Sequence, residues 1–161
     1  MTMTTTTPLL LITADPSHPL ANLALRYARA YLKSVASSHE INNNTGASST
    51  DVKDTNASDN PITEKPLLNV FFYGDSAHIA NGLRWQSADQ IDLTKEWQNL
   101  AEQYQLSLPV CVSTALSRGV SDTDNSARHQ LDGANLATGF TLVGLSELAM
   151  VMQEDCRLIQ F

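Results

Sequence analysis

The chain has 161 residues, of which 42% are hydrophobic and 17% charged; this is the balance of a globular domain with its own core, and it excludes a disordered or fibrous polymer. A formal net charge of −7 argues against direct binding of nucleic acid, because phosphate contact needs a basic footprint. The two cysteines, Cys111 and Cys156, form no CxxC pair, so neither a zinc knuckle nor a thioredoxin-type motif is supported, and a chain with this much core does not need a disulfide.

The apolar run Leu9–Ile12 is too short for a signal-sequence core or a membrane span and follows no basic segment, which points to a cytoplasmic protein without membrane contact. Pro8–Thr13 reads as a first strand buried on both faces. Asp15–Pro19 reads as a turn and helix start. A helix follows from about Leu20 to Ser37, with Leu20, Leu23, Ala24, Tyr27, Ala28, Tyr31 and Leu32 on one stripe. Residues 38–65 are rich in Ser, Asn, Thr and Asp and nearly devoid of large apolar side chains. They read as a disordered polar insertion within a single domain spanning 1–161, because they bury too little surface to offset their ordering entropy.

Pro66–Tyr73 reads as the second strand, Gly74 and Asp75 as a turn, and Ala77–Leu83 as a short helix. Leu93, Trp97, Leu100, Ala101 and Tyr104 form an apolar stripe on a helix from about Asp92 to Tyr104. Leu108–Val112 is a short buried strand, and Ser113–Gly119 a short helix ending at glycine. Asp122 or Ser121 caps a further helix running to about Leu136. Phe140–Val143 is a short strand, Leu145, Leu148, Ala149 and Met152 mark a last helix, and Cys156–Phe161 closes the chain as a strand. This alternation implies right-handed βαβ units and an α/β fold of three layers, α/β/α, around a mainly parallel sheet of about five strands. The strand order is not legible.

In such sheets, chemistry gathers at the C-terminal ends of the strands, and Cys111 lies near the C-terminal end of its own. A thiol at a strand-to-helix junction meets orphan backbone N–H groups and the positive end of a helix dipole. That field favours the thiolate, the form that attacks and carries sulfur. The competing reading is a small buried hydrophobe, which residue statistics alone favour. Arg118 reads as a solvated charge at the C-terminal end of the short helix, and Cys156 as a packing residue. His18, His39, His78 and His129 show no metal-ligand spacing. His78 follows the second strand and could share an edge with Cys111, although a surface role is better supported than a Cys–His pair. Asp122 and Asp124 read as helix N-terminal carboxylates, and Trp85 and Trp97 as core or interface anchors. No glycine lies between Thr13 and Ser17, and Gly139 and Gly144 complete no GxGxxG. The phosphate cradle of a nucleotide-binding, flavodoxin-like enzyme is therefore missing.

The segments Val70–Tyr73, Ala80–Asn81, Asp92–Leu93, Glu96–Gln98, Val110–Val112, Ala115–Leu116, Arg118–Val120, Gly139–Leu142 and Gln160–Phe161 resemble the DsrE/TusD family of intracellular sulfur-handling proteins. The resemblance covers almost the whole chain apart from 4–8 and 38–65. Its most specific block is Cys-Val-x-x-Ala-Leu-x-Arg-Gly-Val, here Cys111–Val120. It implies a DsrE/F-like three-layer fold and a sulfurtransferase subunit in the relay for 2-thiolation of the tRNA wobble uridine. By the same resemblance Cys111 receives the sulfur as a persulfide, from a TusA-like donor loaded by a cysteine desulfurase, and passes it to a TusE-like acceptor. Assembly with TusB-like and TusC-like subunits into a heterohexamer, a dimer of trimers, is implied as well; no metal, nucleotide or other cofactor is. Two features depart from the family pattern: the insertion is longer than expected, and Cys156 falls near but not on an expected cysteine position. The alternatives are a non-catalytic assembly subunit and a DsrE-type sulfur-oxidation carrier. The tRNA branch is preferred on the match to D subunits and the lack of a second DsrE-type cysteine motif.

Overall fold

A computed structural model describes residues 6–43 and 66–161. Its elements are β1 (Thr7–Ile12), α1 (Pro19–Asn43), β2 (Asn69–Phe72), a 3-10 helix (Gly74–Ala80), α2 (Leu93–Tyr104), β3 (Leu108–Cys111), α3 (Val112–Leu116), α4 (Thr123–His129), β4 (Phe140–Val143), α5 (Leu145–Gln153) and β5 (Cys156–Gln160). The five strands form one sheet in the order β4-β3-β2-β1-β5, and every pairing is parallel. The expected α/β architecture is present, with β1 between β2 and the C-terminal strand.

Helix α1 starts with Pro19 at its first position, where the missing N–H costs nothing. It runs on to Asn43, beyond the expected end at Ser37 and into the segment read as insertion. The rest of that segment lies outside the described residues. The stripe that α1 buries is also rotated from the expected one. Ala21, Ala24, Leu25, Ala28 and Leu32 are buried, whereas Leu20 is 41% and Leu23 45% exposed. The alanines carry no bulk beyond Cβ and let the helix lie close on the sheet. Helix α2 is N-capped by Asp92, whose side chain accepts from Lys95 N at 3.3 Å. Helix α4 is N-capped by Asp122, accepting from Asn125 N at 2.8 Å. It ends at His129, well short of Leu136, because Gln130 takes a left-handed conformation (φ 54°) and returns its N–H to Ser126 O. The chain then folds back, and Asn135 N and Leu136 N bond to Ser121 O at 2.9 and 3.0 Å.

Side chains alternate across the sheet. One face carries Leu10, Ile12, Val70, Phe72, Leu108, Val110 and Phe140 against α1 and α2. Trp97 of α2 is fully buried there, edge-on to Phe72 at 5.4 Å and 88°. The other face buries Leu9, Phe71 and Cys111 under Leu148 and Val151 of α5, with Leu11, Val143 and Cys156 at its margin. Among the described residues no helix is long and apolar enough to cross a membrane.

Candidate functional site

Cys111 is the last residue of β3 and the N-cap of α3, with φ −59° and ψ 118°. It lies across from Val143 in the β3–β4 register. Its position at the C-terminal end of a strand, beside a helix start, is the one expected from the sequence. Its side chain, however, is 1% exposed and packs with Leu9 and Phe71 on the sheet face beneath α5. Among the described residues no side chain caps the N-terminus of α3, so the amides of its first turn have no side-chain acceptor there. Thr114 Oγ1 donates to the carbonyl of Cys111 at 3.2 Å. The turn that follows α3 ends at Gly119, whose φ of 72° favours glycine. There Val120 N returns to Ala115 O at 2.9 Å, and both side chains are buried.

Arg118 stands at the C-terminal end of α3 as expected, but it is paired rather than merely solvated. Its Nε and Nη2 both donate to Asp75 Oδ1, at 2.9 and 2.7 Å. Its Nη1 donates to Thr114 O and to Ser117 Oγ, each at 3.2 Å. The guanidinium thus covers the carbonyl end of α3, as a cation near a helix C-terminus should, and also ties α3 to the 3-10 helix. That helix is fastened in turn to β1, because the Ser76 hydroxyl bonds Ile12 O at 2.6 Å and Tyr73 O at 2.9 Å. The Asp75–Arg118 pair joins positions with no shared periodicity. The sequence carried no local signal for it beyond the arginine in the Cys111–Val120 block.

His78 lies on the 3-10 helix toward Asp15, and no hydrogen bond among those of the described residues joins it to Cys111. Burial pushes the Asp15 carboxyl up, but two hydrogen bonds from Ser17, through its hydroxyl and amide, outweigh it, with the charges of His78 and Arg84 adding. The net direction is below the ordinary carboxylate value. His18 Nδ1 accepts from Leu20 N at the start of α1, at 3.2 Å. His129 is in the last turn of α4, and the side chain of His39 lies outside the described residues. Asp122 and Asp124 are the expected helix-start carboxylates. Trp97 is core, and Trp85 is 83% exposed.

Cys156 is half-buried at the start of β5, beside Thr7, and both cysteines are free. It shares a sheet face with Cys111, but β2 and β1 lie between their strands. Three strand spacings amount to roughly 14 Å, more than a disulfide spans. A polar cleft of about 450 Å³, lined by Arg84, Lys95, Gln98 and Asn135 among others, contains neither cysteine.

The model of the DsrE/DsrF-like family matches residues 9–161. The Sulfurtransferase TusD of Pectobacterium carotovorum subsp. carotovorum is 46% identical over 95 residues, covering 59% of this chain and 74% of that protein. The Sulfurtransferase TusD homolog of Vibrio parahaemolyticus is 41% identical over 95 residues, covering 59% of this chain and 72% of the relative. The crystal structure of the ychN protein from E. coli superposes with a TM-score of 0.57 over 96% of this chain and 99% of that one; at 13% identity it speaks to the fold alone. With the family pattern running from β1 to the last residue, and the parallel five-stranded sheet to match, the chain belongs to the DsrE/DsrF-like family.

Proposed function

We propose that this chain is a sulfurtransferase subunit of a sulfur relay, with Cys111 as its persulfide carrier. The observation that carries the reading is the placement of Cys111, at the junction of a strand end and an uncapped helix start, in a chain 41–46% identical to proteins named Sulfurtransferase TusD. The chemistry is exchange at sulfur. The Cys111 thiolate attacks the outer sulfur of a donor persulfide; the S–S bond of the donor breaks, and the donor leaves as a thiolate. An acceptor thiolate then attacks the outer sulfur now held on Cys111, and Cys111 leaves as the thiolate. No net oxidation occurs and no metal or nucleotide is consumed. Free amides at the start of α3 are suited to hold the anionic sulfur.

The relay is the one for 2-thiolation of the tRNA wobble uridine, in the cytoplasm. A TusA-like carrier gives the sulfur and a TusE-like protein takes it, without direct contact between this chain and RNA. TusB-like and TusC-like subunits complete a heterohexamer around one domain, 1–161. The exposed apolar side chains of α5 and β5, Leu145, Met150, Met152 and Leu158, supply surface for such assembly.

The test is to incubate the chain and its partner subunits with a cysteine desulfurase, cysteine and the small carrier, then map modified peptides by mass. One added sulfur on the Cys111 peptide, absent in Cys111→Ser, is the expected result. Sulfur only on Cys156, or full relay activity in Cys111→Ser, overturns the reading. The burial of Cys111 favours a second reading, a non-catalytic assembly subunit with a core cysteine. That reading requires Cys111 to resist alkylation in the assembled, active complex.

A further inference from the structure

We propose that Arg118 is a positioning residue for sulfur transfer at Cys111, acting through α3 as one half of a clamp whose other half is Asp75. The inference rests on Cys111 being the carrier. Helix α3 has five residues and buries one side chain, Ala115. A helix this short does not hold itself together, so its orientation is set from outside. Its N-terminus continues β3, and its C-terminal end is held by buried Val120 and by the guanidinium of Arg118. Thr114 is the link between the clamp and the cysteine. Its carbonyl accepts from Arg118 Nη1, and its hydroxyl donates to the carbonyl of Cys111. The guanidinium is therefore two hydrogen bonds from the backbone of the reactive residue. On its other side Asp75 stands next to Ser76, which is bonded to the end of β1. The clamp thus references the turn at Cys111 to the centre of the sheet.

The chemistry calls for arginine specifically. Nε and Nη2 converge on one carboxylate oxygen while Nη1 reaches the helix carbonyl and Ser117. A lysine ammonium is a compact point charge without that planar fork, and its donors do not reach these separated acceptors together. The Asp75 side chain is 62% exposed, and an ion pair open to solvent adds little to global stability. Its effect falls on local geometry, where small misplacements of a reacting group are costly.

The test uses the full chain and glutathione persulfide as a small sulfur donor, with the rate of sulfur gain read by mass on the Cys111 peptide. Arg118→Ala and Asp75→Ala are each expected to slow the maximal loading rate by about tenfold with the half-saturating donor concentration unchanged. The double variant is expected to be no slower than Arg118→Ala, because Asp75 acts only through Arg118. Asp75→Asn keeps the acceptor oxygen and should load close to the wild-type rate, while Arg118→Lys falls between. These two conservative variants also serve should an alanine variant fold poorly. Wild-type loading rates in Arg118→Ala, single effects that multiply in the double variant, or an Asp75→Asn variant as slow as Asp75→Ala would overturn the clamp alone. A wild-type chain that gains no sulfur on Cys111 would overturn the carrier reading and the clamp with it.

Discussion

Leu9 and Leu10 are neighbours on β1, 1% and 0% exposed, yet they belong to two different kinds of interior. Leu10 faces α1 and α2, where alanines bring a long helix close and Trp97 fills the space against Phe72. Leu9 faces α5, the one helix that packs on this cluster among the described residues, and α5 has no fully buried residue of its own. A groove of about 200 Å³, lined by Leu9, Phe71, Pro109, Leu148 and Val151 among others, remains between α5 and the strands. The first face supplies most of the apolar burial that folds the chain. The second face holds Cys111 under a thinner cover, which among the described residues is made by Leu148 and Val151 with Leu11, Val143 and Cys156 at the margin.

The strongest way to break this contrast is to empty the first face. Trp97→Ala removes a fully buried indole and is expected to cost about 3–5 kcal/mol, read as a drop in the urea midpoint. A finer comparison uses the two leucines. Leu10→Ala leaves a cavity walled by two helices and should cost about 3–4 kcal/mol; Leu9→Ala opens toward the groove under α5, where the site can relax, and should cost about 2 kcal/mol. Equal losses would show that the second face is as tightly closed as the first. Alkylation of Cys111 should speed up in Leu9→Ala and not in Leu10→Ala, because only the former lies in its cluster.

The same contrast explains what was legible in the sequence. The continuous apolar runs at Leu9–Ile12, Val70–Phe72 and Leu108–Cys111 announced a parallel sheet covered on both sides. The stripe Leu93–Trp97–Leu100 announced α2, while the role of Asp92 as its cap emerged only from the structure. The stripe on α1 was misplaced because alanine carries a weak hydrophobic signal while Leu20 and Leu23 carry a strong one, and packing distance, not hydrophobicity, chose the alanines. On α5, Leu145 and Met152 looked like core and are each 49% exposed. Nothing in one chain's pattern distinguishes a face that meets its own sheet from one left open. The strand end and helix start at Cys111 were readable from local residue types. The burial of Cys111 is the competing reading that residue statistics favoured, whereas the Asp75–Arg118 clamp was not readable, since it depends on elements distant in sequence.

A smaller effect is expected where the first face begins, at the turn before α1. The lowered carboxyl of Asp15 makes the folded state bind a proton less readily than the unfolded chain. Its contribution to stability is therefore complete above the ordinary carboxylate value of 3.8 and is lost as pH falls through the lowered folded value. Asp15→Asn should lower stability at neutral pH by less than about 1 kcal/mol, since the group is open to solvent screening. It should also flatten the acid limb of a plot of melting temperature against pH. An unchanged acid limb would show that Ser17, His78 and Arg84 do not act on this carboxylate.

The smallest effect on the isolated chain should come from the outward side of α5. Met150 is 56% exposed and makes no part of either buried cluster, so Met150→Ser should shift stability by less than about 0.5 kcal/mol. Val151, one position on, packs toward Leu9, Phe71 and Cys111, and Val151→Ala should cost more and expose the thiol. If α5 meets partner subunits in the assembled relay, the ranking reverses for assembly: Met150→Ser weakens the complex, whereas Val151→Ala acts through Cys111. Sedimentation of the complex, run beside alkylation of the free chain, separates the two sides of one helix. A Met150→Ser variant that assembles normally would place the partner contact elsewhere and leave α5 as a cover for Cys111 alone.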